Sequence, residues 1–521
     1  MRPTAVSTYG RTASLPAALV ALLVATLLMG LSLVRPTSSV EAITEPSGYI
    51  VVLNGSTGAD GSFQVGGNDA LNLAVAREAV AASGATIEVD LADQIGVLLV
   101  RATESAAAII AASSLVAEAA PDFGWKAFSS YDEALASGEL TVLAPERVPA
   151  SGPEETADPL EPIQWDMEQI RTPEAHAIQT GSRSVDVGIL DSGIDGNHPD
   201  FVVDTGGSNI DCARGRNSII FFPVGPGIGT PEPCIDNQFH GTHVAGTVAA
   251  QANGLGIVGV APNVTLVPVK VCDTSGYCYA SAVVDGITYA GDQQFDVVNM
   301  SFFVDDNELQ ESTEFKCQSD ATQRAFRHAV ERAIQYARSQ GVTPVAALGN
   351  SDQDLAHPVD DTGQPISNEC EVVPAETQGV IGTMSLGRDS EKAGYSNYGT
   401  GQADVAAPGG NGTTGDCTTT ILSTLPGGGY GCIQGTSMAS PHAAGVAALI
   451  VSQFGQLGAD GDVKLSPTKV ESLLQATAID IGLPGYDECF GHGRIDALRA
   501  VTGDTSRASD PTAPHCPEYG E

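Results

Sequence analysis

Three short stretches of this 521-residue chain hold side chains that could cooperate in nucleophilic chemistry. "GTSMASPHAAG" offers Ser437 and Ser440 beside His442, "HGTHVAGTVAA" offers His240 and His243, and "VGILDSGIDGNHPD" offers Asp191. A serine hydroxyl is a weak nucleophile until an imidazole takes its proton, and a third group orients that imidazole. Ser437 is followed by small residues and Pro441, which suit the first turn of a helix. Backbone N–H groups at such a start favour developing negative charge. Two other chemistries fit less well. A zinc peptidase pairs histidines at i and i+4 around a glutamate, whereas His240 and His243 are at i and i+3 with no acid between. A lipase or esterase wants G-x-S-x-G with its serine first in chain order, whereas Ser437 sits in Gly-Thr-Ser-Met-Ala and comes last.

Several elements must position these groups. "VDVGIL" reads as a strand that ends at Asp191, and "VTLVPVKV", "FDVVNM" and "VTPVAAL" read as further apolar strands. Helical spacing near residues 280–291 and 321–340 separates them. Apolar strands alternating with helices predict a mainly parallel α/β sheet covered on both faces, with its site at the carboxyl ends of the strands. Upstream, "GYIVVLN" begins the order strand, helix, strand, strand, helix, with a last strand near Val116. That is the split βαβ pattern of a small ferredoxin-like α+β domain. From about residue 126 to 160 the pattern dissolves into "APERVPASGPEETADPLEP", which reads as an exposed, cleavable linker.

A net charge of −39, with only 24 Lys and Arg, excludes nucleic acid as a partner, because a polyanion would be repelled. Arg2 and Arg11 precede an apolar run over residues 15–34, and Val40-Glu41-Ala42 offers a small-residue cleavage site. This reads as a secretory signal over residues 1–42, with a retained membrane anchor as the alternative. All ten cysteines lie between Cys212 and Cys516, which suggests disulfides in an exported chain. Cys212/Cys234, Cys272/Cys278 and Cys417/Cys432 are candidates for local pairs.

Taken together, in the order Asp, His, Ser, the three stretches resemble the subtilisin family of serine peptidases. "DSGIDGNHPD", "HGTHVAGT" and "GTSMASPHAAG" carry the likeness. The resemblance implies a subtilisin-like three-layer α/β domain over residues 161–504 and a polar tail over 505–521. It assigns Ser437 as nucleophile, His240 as base and Asp191 as the orienting carboxylate. His243 falls on a structural position, and Ser440 and His442 on packing positions. "PVAALGNSD" resembles the segment bearing the family's oxyanion asparagine, which falls on Asn350. The activity implied is endopeptidase hydrolysis of proteins and peptides through an acyl-enzyme.

The likeness carries further expectations. Residues 43–125 resemble an inhibitory propeptide, so the chain is expected to mature by its own activity, with the cut between about 143 and 160 and a monomeric product. "AQANGLGIVGVAP" matches a calcium-binding loop. It implies carbonyl ligands on Gln251, Leu255 and Ile257 and side-chain oxygens from Asn253, Asp200 and Glu161, a set that suits Ca²⁺. Ala347, Leu348 and Gly349 would form one wall of the substrate pocket. The opposite strand departs from the family, since "NMSFFVDD" has Phe302 and Phe303 after Ser301 where Leu and Gly are usual. Phe303 is expected to narrow the cleft or line a more distal pocket. A silent subtilisin-like binding module would be expected to lack a triad or oxyanion residue, and none is missing. A calcium-dependent structural protein would need neither Asn350 nor the small residues around Ser437.

Overall fold

Apolar and alternating runs near the N-terminus build one antiparallel sheet. The computed structural model describes residues 47–58, 63–64, 69–143, 158–203, 206–221, 232–303, 315–317, 319–359, 363–413, 416–458 and 463–513. These fall in one unit, Pro46–Glu521. The expected signal over residues 1–42 and residues 144–157 of the expected linker lie outside the described residues. Among the described residues no helix is long and apolar enough to cross a membrane.

The first sheet comprises β1 (Ser47–Leu53), β2 (Thr86–Leu91), β3 (Val97–Ala102) and β4 (Val116–Pro121), with helices α1 (Asp69–Ala82) and α2 (Glu104–Ala111). Its order, β2-β3-β1-β4, is the ferredoxin-like arrangement expected from the element pattern. Period-2 alternation divides its faces. Val51 and Leu53 pack with Leu73, Val80 and Ile110. Ile50 and Val52 face the other way, into a core shared with the following domain.

The stretch expected to be a linker holds structure as far as Val142. It contains β5 (Gly124–Lys126), α3 (Tyr131–Ser137) and β6 (Thr141–Val142). α3 has its own start signal, since the Glu133 carboxylate accepts from Ser130 N at 2.9 Å and Ser130 Oγ at 2.8 Å. β5 and β6 exist because neighbouring edges receive them.

The larger sheet is parallel throughout. Its strands are β7 (Asp186–Asp191), β8 (Arg216–Asn217), β9 (Thr265–Lys270), β11 (Val297–Met300), β12 (Thr343–Ala347), β13 (Ile381–Leu386) and β14 (Val405–Pro408). Their order is β8-β9-β7-β11-β12-β13-β14. Helices α4 (His240–Ala249) and α7 (Thr436–Phe454) cover one face, and α5 (Ala280–Asp292) and α6 (Ala321–Ser339) the other. Along β7, Val187 and Ile189 meet the first pair of helices and Leu190 the second. This is the three-layer α/β architecture expected. Two short strands follow outside the main sheet, β15 (Ile421–Leu425) and β16 (Gly429–Ile433), and β10 (Tyr277–Tyr279) precedes α5. β5 pairs antiparallel with β10, and β6 with β16.

α6 carries the basic side chains that hold the small domain. Arg324 Nε donates to Glu118 at 2.7 Å, and His328 Nδ1 lies 3.1 Å from the same carboxylate. Arg332 donates to the Leu53 carbonyl at 3.0 Å and lies 4.6 Å from the centroid of the Phe63 ring. Cys212–Cys234, Cys272–Cys278 and Cys417–Cys432 form disulfides, as their spacing suggested. Cys317–Cys370 joins positions 53 residues apart, and Cys489 is also disulfide-bonded.

Candidate active site

β7 delivers Asp191, fully buried, at the carboxyl end of the sheet. His240 is the first residue of α4, and its Nδ1 lies 3.0 Å from both Asp191 carboxylate oxygens. One of those oxygens also accepts from Ser192 N at 2.7 Å, which fixes the carboxylate plane. The preceding residue, Phe239, has φ 131°, a conformation an L side chain rarely adopts. Asp236 holds it there. One Asp236 oxygen accepts from Phe239 N, Gln238 N and Ser192 Oγ, and the other from Thr242 N and Oγ1. Sequence reasoning missed Asp236, whose only signal is its place four residues before His240. Gln238 closes the turn by accepting from His240 N at 2.6 Å.

Ser437 sits in the first turn of α7. Its carbonyl accepts from Ser301 Oγ at 2.8 Å, and Ser301 also meets Ser440 Oγ at 2.8 Å. Ser301, expected to touch substrate, therefore uses its side chain to hold the helix that Ser437 opens. Asn350 follows β12, and its Oδ1 accepts from Thr436 N at 2.9 Å and Thr436 Oγ1 at 2.8 Å. That orientation leaves its Nδ2–H₂ group as a donor beside the helix start. Among the described residues, neither His240 Nε2 nor Ser437 Oγ makes a hydrogen bond.

The other two histidines have separate duties. His243 is buried, with Nε2 3.1 Å from Ile421 O and 3.2 Å from Gly431 O. Burial, aided by the neighbouring His240, pushes its pKa down to about 3, so it stays neutral. His442 bonds through Nδ1 to Met438 O at 2.7 Å and through Nε2 to Asp166 Oδ2 at 3.0 Å, and both His442 and Asp166 are buried. It is more than the packing residue expected, because it ties α7 to the segment before β7.

Phe302 is buried and Phe303 half-buried. The Phe302 ring lies 6.3 Å from that of Trp125, which β5 brings in. Ala347, Leu348 and Gly349 are buried opposite, and Asn397 holds them through Leu348 O at 3.1 Å and Gly349 O at 3.0 Å.

The loop of residues 251–257 gathers part of the expected calcium set. Asp200 is buried beside the Tyr430 hydroxyl, one of its oxygens accepts from Ile257 N at 3.0 Å, and the other, Oδ1, meets no hydrogen-bond partner among the described residues. Burial first, then the charge of Asp158, pushes its pKa up to about 8. Asn253 Oδ1 accepts from Leu255 N at 3.0 Å. The Gln251 side chain turns away, to Arg183 and the Pro262 carbonyl. Asp158, not foreseen, accepts from the N–H groups of Asn253, Gly254 and Leu255 and lies near Glu161. Among the described residues no group of three or more His, Cys, Asp or Glu is arranged to hold a metal.

The subtilase family model, Peptidase_S8, matches residues 182–493. Subtilisin from Bacillus pumilus is 32% identical over 339 residues, covering 65% of this chain and 98% of that protein. Subtilisin E from Bacillus subtilis strain 168 is 32% identical over 339 residues, covering 65% of this chain and 71% of that one. The solved epidermin leader peptide processing serine protease of Staphylococcus aureus has a TM-score of 0.64 at 20% identity, covering 89% of this chain and 100% of that one, which bears on the fold alone. The chain belongs to the subtilase family and is a serine endopeptidase.

Proposed function

We propose that this endopeptidase cuts peptide bonds by acyl transfer to Ser437 and is made as a secreted, self-processing, monomeric zymogen. His240 Nε2 takes the Ser437 proton as Oγ attacks the carbonyl carbon. Asp191 holds the imidazole in the tautomer that leaves Nε2 free and stabilises the imidazolium that forms. The Asn350 amide and the Ser437 N–H take the developing oxyanion. His240 then protonates the leaving amine, and water hydrolyses the ester. Phe302, Phe303 and the segment of Ala347, Leu348 and Gly349 at the end of β12 flank the substrate chain, with Ser301 bracing the nucleophile. The observation that carries the reading is His240 Nδ1, held 3.0 Å from both oxygens of buried Asp191. A fluorophosphonate probe tests it, and is expected to label the mature enzyme on Ser437 alone. Labelling at another residue would overturn the assignment.

Asn350 separates two roles within this reading. Asn350→Ala is expected to lower kcat by about 10²–10³-fold with KM within about threefold. Thr436→Val removes a hydroxyl that donates to Asn350 Oδ1 and accepts from Gly349 N at 3.2 Å, and is expected to lower kcat by less than about tenfold. Equal losses in the two variants would make Asn350 a loop support and not an oxyanion donor.

The ferredoxin-like domain is assigned here as the inhibitory propeptide, a role supported by its seat on α6 and by β5 lying along β10. For calcium, the unpartnered oxygen of buried Asp200 fits a cation, and the carbonyls of Gln251, Leu255 and Ile257 with Asn253 and Glu161 are of the right oxygen chemistry. The ion would brace the loop and takes no part in bond cleavage. A chelator is expected to lower the thermal midpoint, added Ca²⁺ to restore it, and Asp200→Asn to abolish the response. A midpoint indifferent to chelator and Ca²⁺ alike would remove the ion.

A further inference from the structure

An extended run of the chain passes His240. β5 lies along β10, with Lys126 opposite Tyr277, Trp125 opposite Cys278 and Gly124 opposite Tyr279. Trp125 is only 1% exposed, and its ring centroid lies 6.2 Å from that of Phe326. Ala127 N extends the ladder with a 2.9 Å bond to Gly276 O. The next residue, Phe128, lays its ring flat on His240, with centroids 4.0 Å apart and planes inclined by 12°. Gly276, at φ +83°, permits this crossing, because a Cβ there would collide with the Phe128 carbonyl oxygen.

Beyond Phe128 the packing changes sides. Ser129 O accepts from Gln238 Nε2 at 2.6 Å, and Gln238 is the residue that closes the His240 turn. Tyr131 meets Phe239 edge-on at 5.7 Å. Ala134 and Leu140 are 0% and 2% exposed, within the core that holds Trp165, Ile194 and Phe239. β6 adds a strand to β16, and Leu143 N donates to Tyr430 O at 2.9 Å. Leu143 then packs with Leu160, Ala250 and Ile257. Up to Phe128 the chain therefore lies on the substrate edge as an extension of the small domain. From Ser129 onward it is built into the catalytic domain.

We infer that the maturation cut falls at the Phe128–Ser129 bond, and that residues from Ser129 stay on the mature enzyme as an N-terminal strap. This rests on the assignment of Ser437 as nucleophile. The strand register along β10 brings Phe128 onto His240, and a cut beyond Leu143 would instead strip Ala134 and Leu140 from the catalytic core. In the docked chain the Phe128 carbonyl lies against Gly276, and no hydrogen bond joins it to Asn350. Attack therefore follows a turn of Phe128 off the His240 ring. Ser437 Oγ then adds to the Phe128 carbonyl carbon as His240 takes its proton. The bond to Ser129 breaks, and His240 protonates the departing amine. Water hydrolyses the ester, leaving a Phe128 carboxylate and free Ser437.

N-terminal sequencing and intact mass of the self-matured wild-type protein test this. The expected new N-terminus is Ser129, or a residue within one position of it. An N-terminus between residues 144 and 160 would overturn the inference, because the strap would have left with the small domain. Ser129→Pro places a tertiary amide at the leaving nitrogen and is expected to slow formation of the mature protein by about 100-fold or more, or to move the cut by one bond. Unchanged maturation with an N-terminus beyond Leu143 would count against it equally. A Ser437→Ala chain that cuts itself at the same bond would instead bring down the nucleophile assignment, so the two failures are distinct.

Discussion

Ser437→Ala is expected to leave the protein as a full-length precursor and to lower peptide hydrolysis by at least about 10⁴-fold. The substitution removes one oxygen and no structural contact. The Ser437 carbonyl still accepts from Ser301, and Thr436 still donates twice to Asn350. The helix start and the oxyanion donors should therefore survive, and the loss should fall on kcat. A self-processing zymogen, as proposed, would link maturation to turnover, so the two readouts need separation. Full-length Ser437→Ala, incubated alone and followed by intact mass, reports self-cleavage. The same protein, processed by a tagged wild-type enzyme that is then removed, reports turnover on a peptide anilide. Unaided maturation, or hydrolysis within about 100-fold of wild type, would sink the mechanism. A thermal midpoint matching wild type would show that the loss is chemical.

The site was legible because its chemistry dictates residue types at defined element ends. Asp191 had to end a strand, His240 had to sit near a helix start, and Ser437 had to open another helix; each does. The ferredoxin-like order followed from plain alternation in β1 to β4. The groups that tune the site were not legible. Asp236 shapes the His240 turn through five bonds, yet a lone aspartate in "DNQFH" looks like a loop residue. The structured segment from Gly124 to Val142 was lost beside a polar, proline-rich stretch for a similar reason. β5 and β6 are three and two residues long, and such strands have no signature apart from the edges that receive them. α3 did carry a readable sign, Ser130 followed three residues later by Glu133. Phe302 and Phe303 signalled an altered cleft. Only the fold shows Phe302 meeting an aromatic side chain, Trp125, from the chain's own upstream segment.

Asp191→Asn is the second large effect, because asparagine keeps the shape and changes the protons. Asp191 is fully buried, and its carboxylate serves both Ser192 N at 2.7 Å and His240 Nδ1 at 3.0 Å. An asparagine keeps the Ser192 bond by presenting its carbonyl there. Its N–H₂ then faces Nδ1, which must accept and no longer donate. The imidazole proton moves to Nε2, the atom that should take the Ser437 proton, and the base is blocked in the wrong tautomer. The expected fall in kcat is about 10⁴-fold, with KM within a few-fold. His243 cannot take over, since its Nε2 meets two carbonyls on the far side and its pKa of about 3 reflects complete burial. The measurement is kcat and KM of Asp191→Asn enzyme matured in trans, at neutral pH, beside its thermal midpoint. A loss below tenfold would mean that His240 is oriented by something other than Asp191. A large loss accompanied by a collapsed midpoint would place Asp191 in the fold and not in the proton transfer.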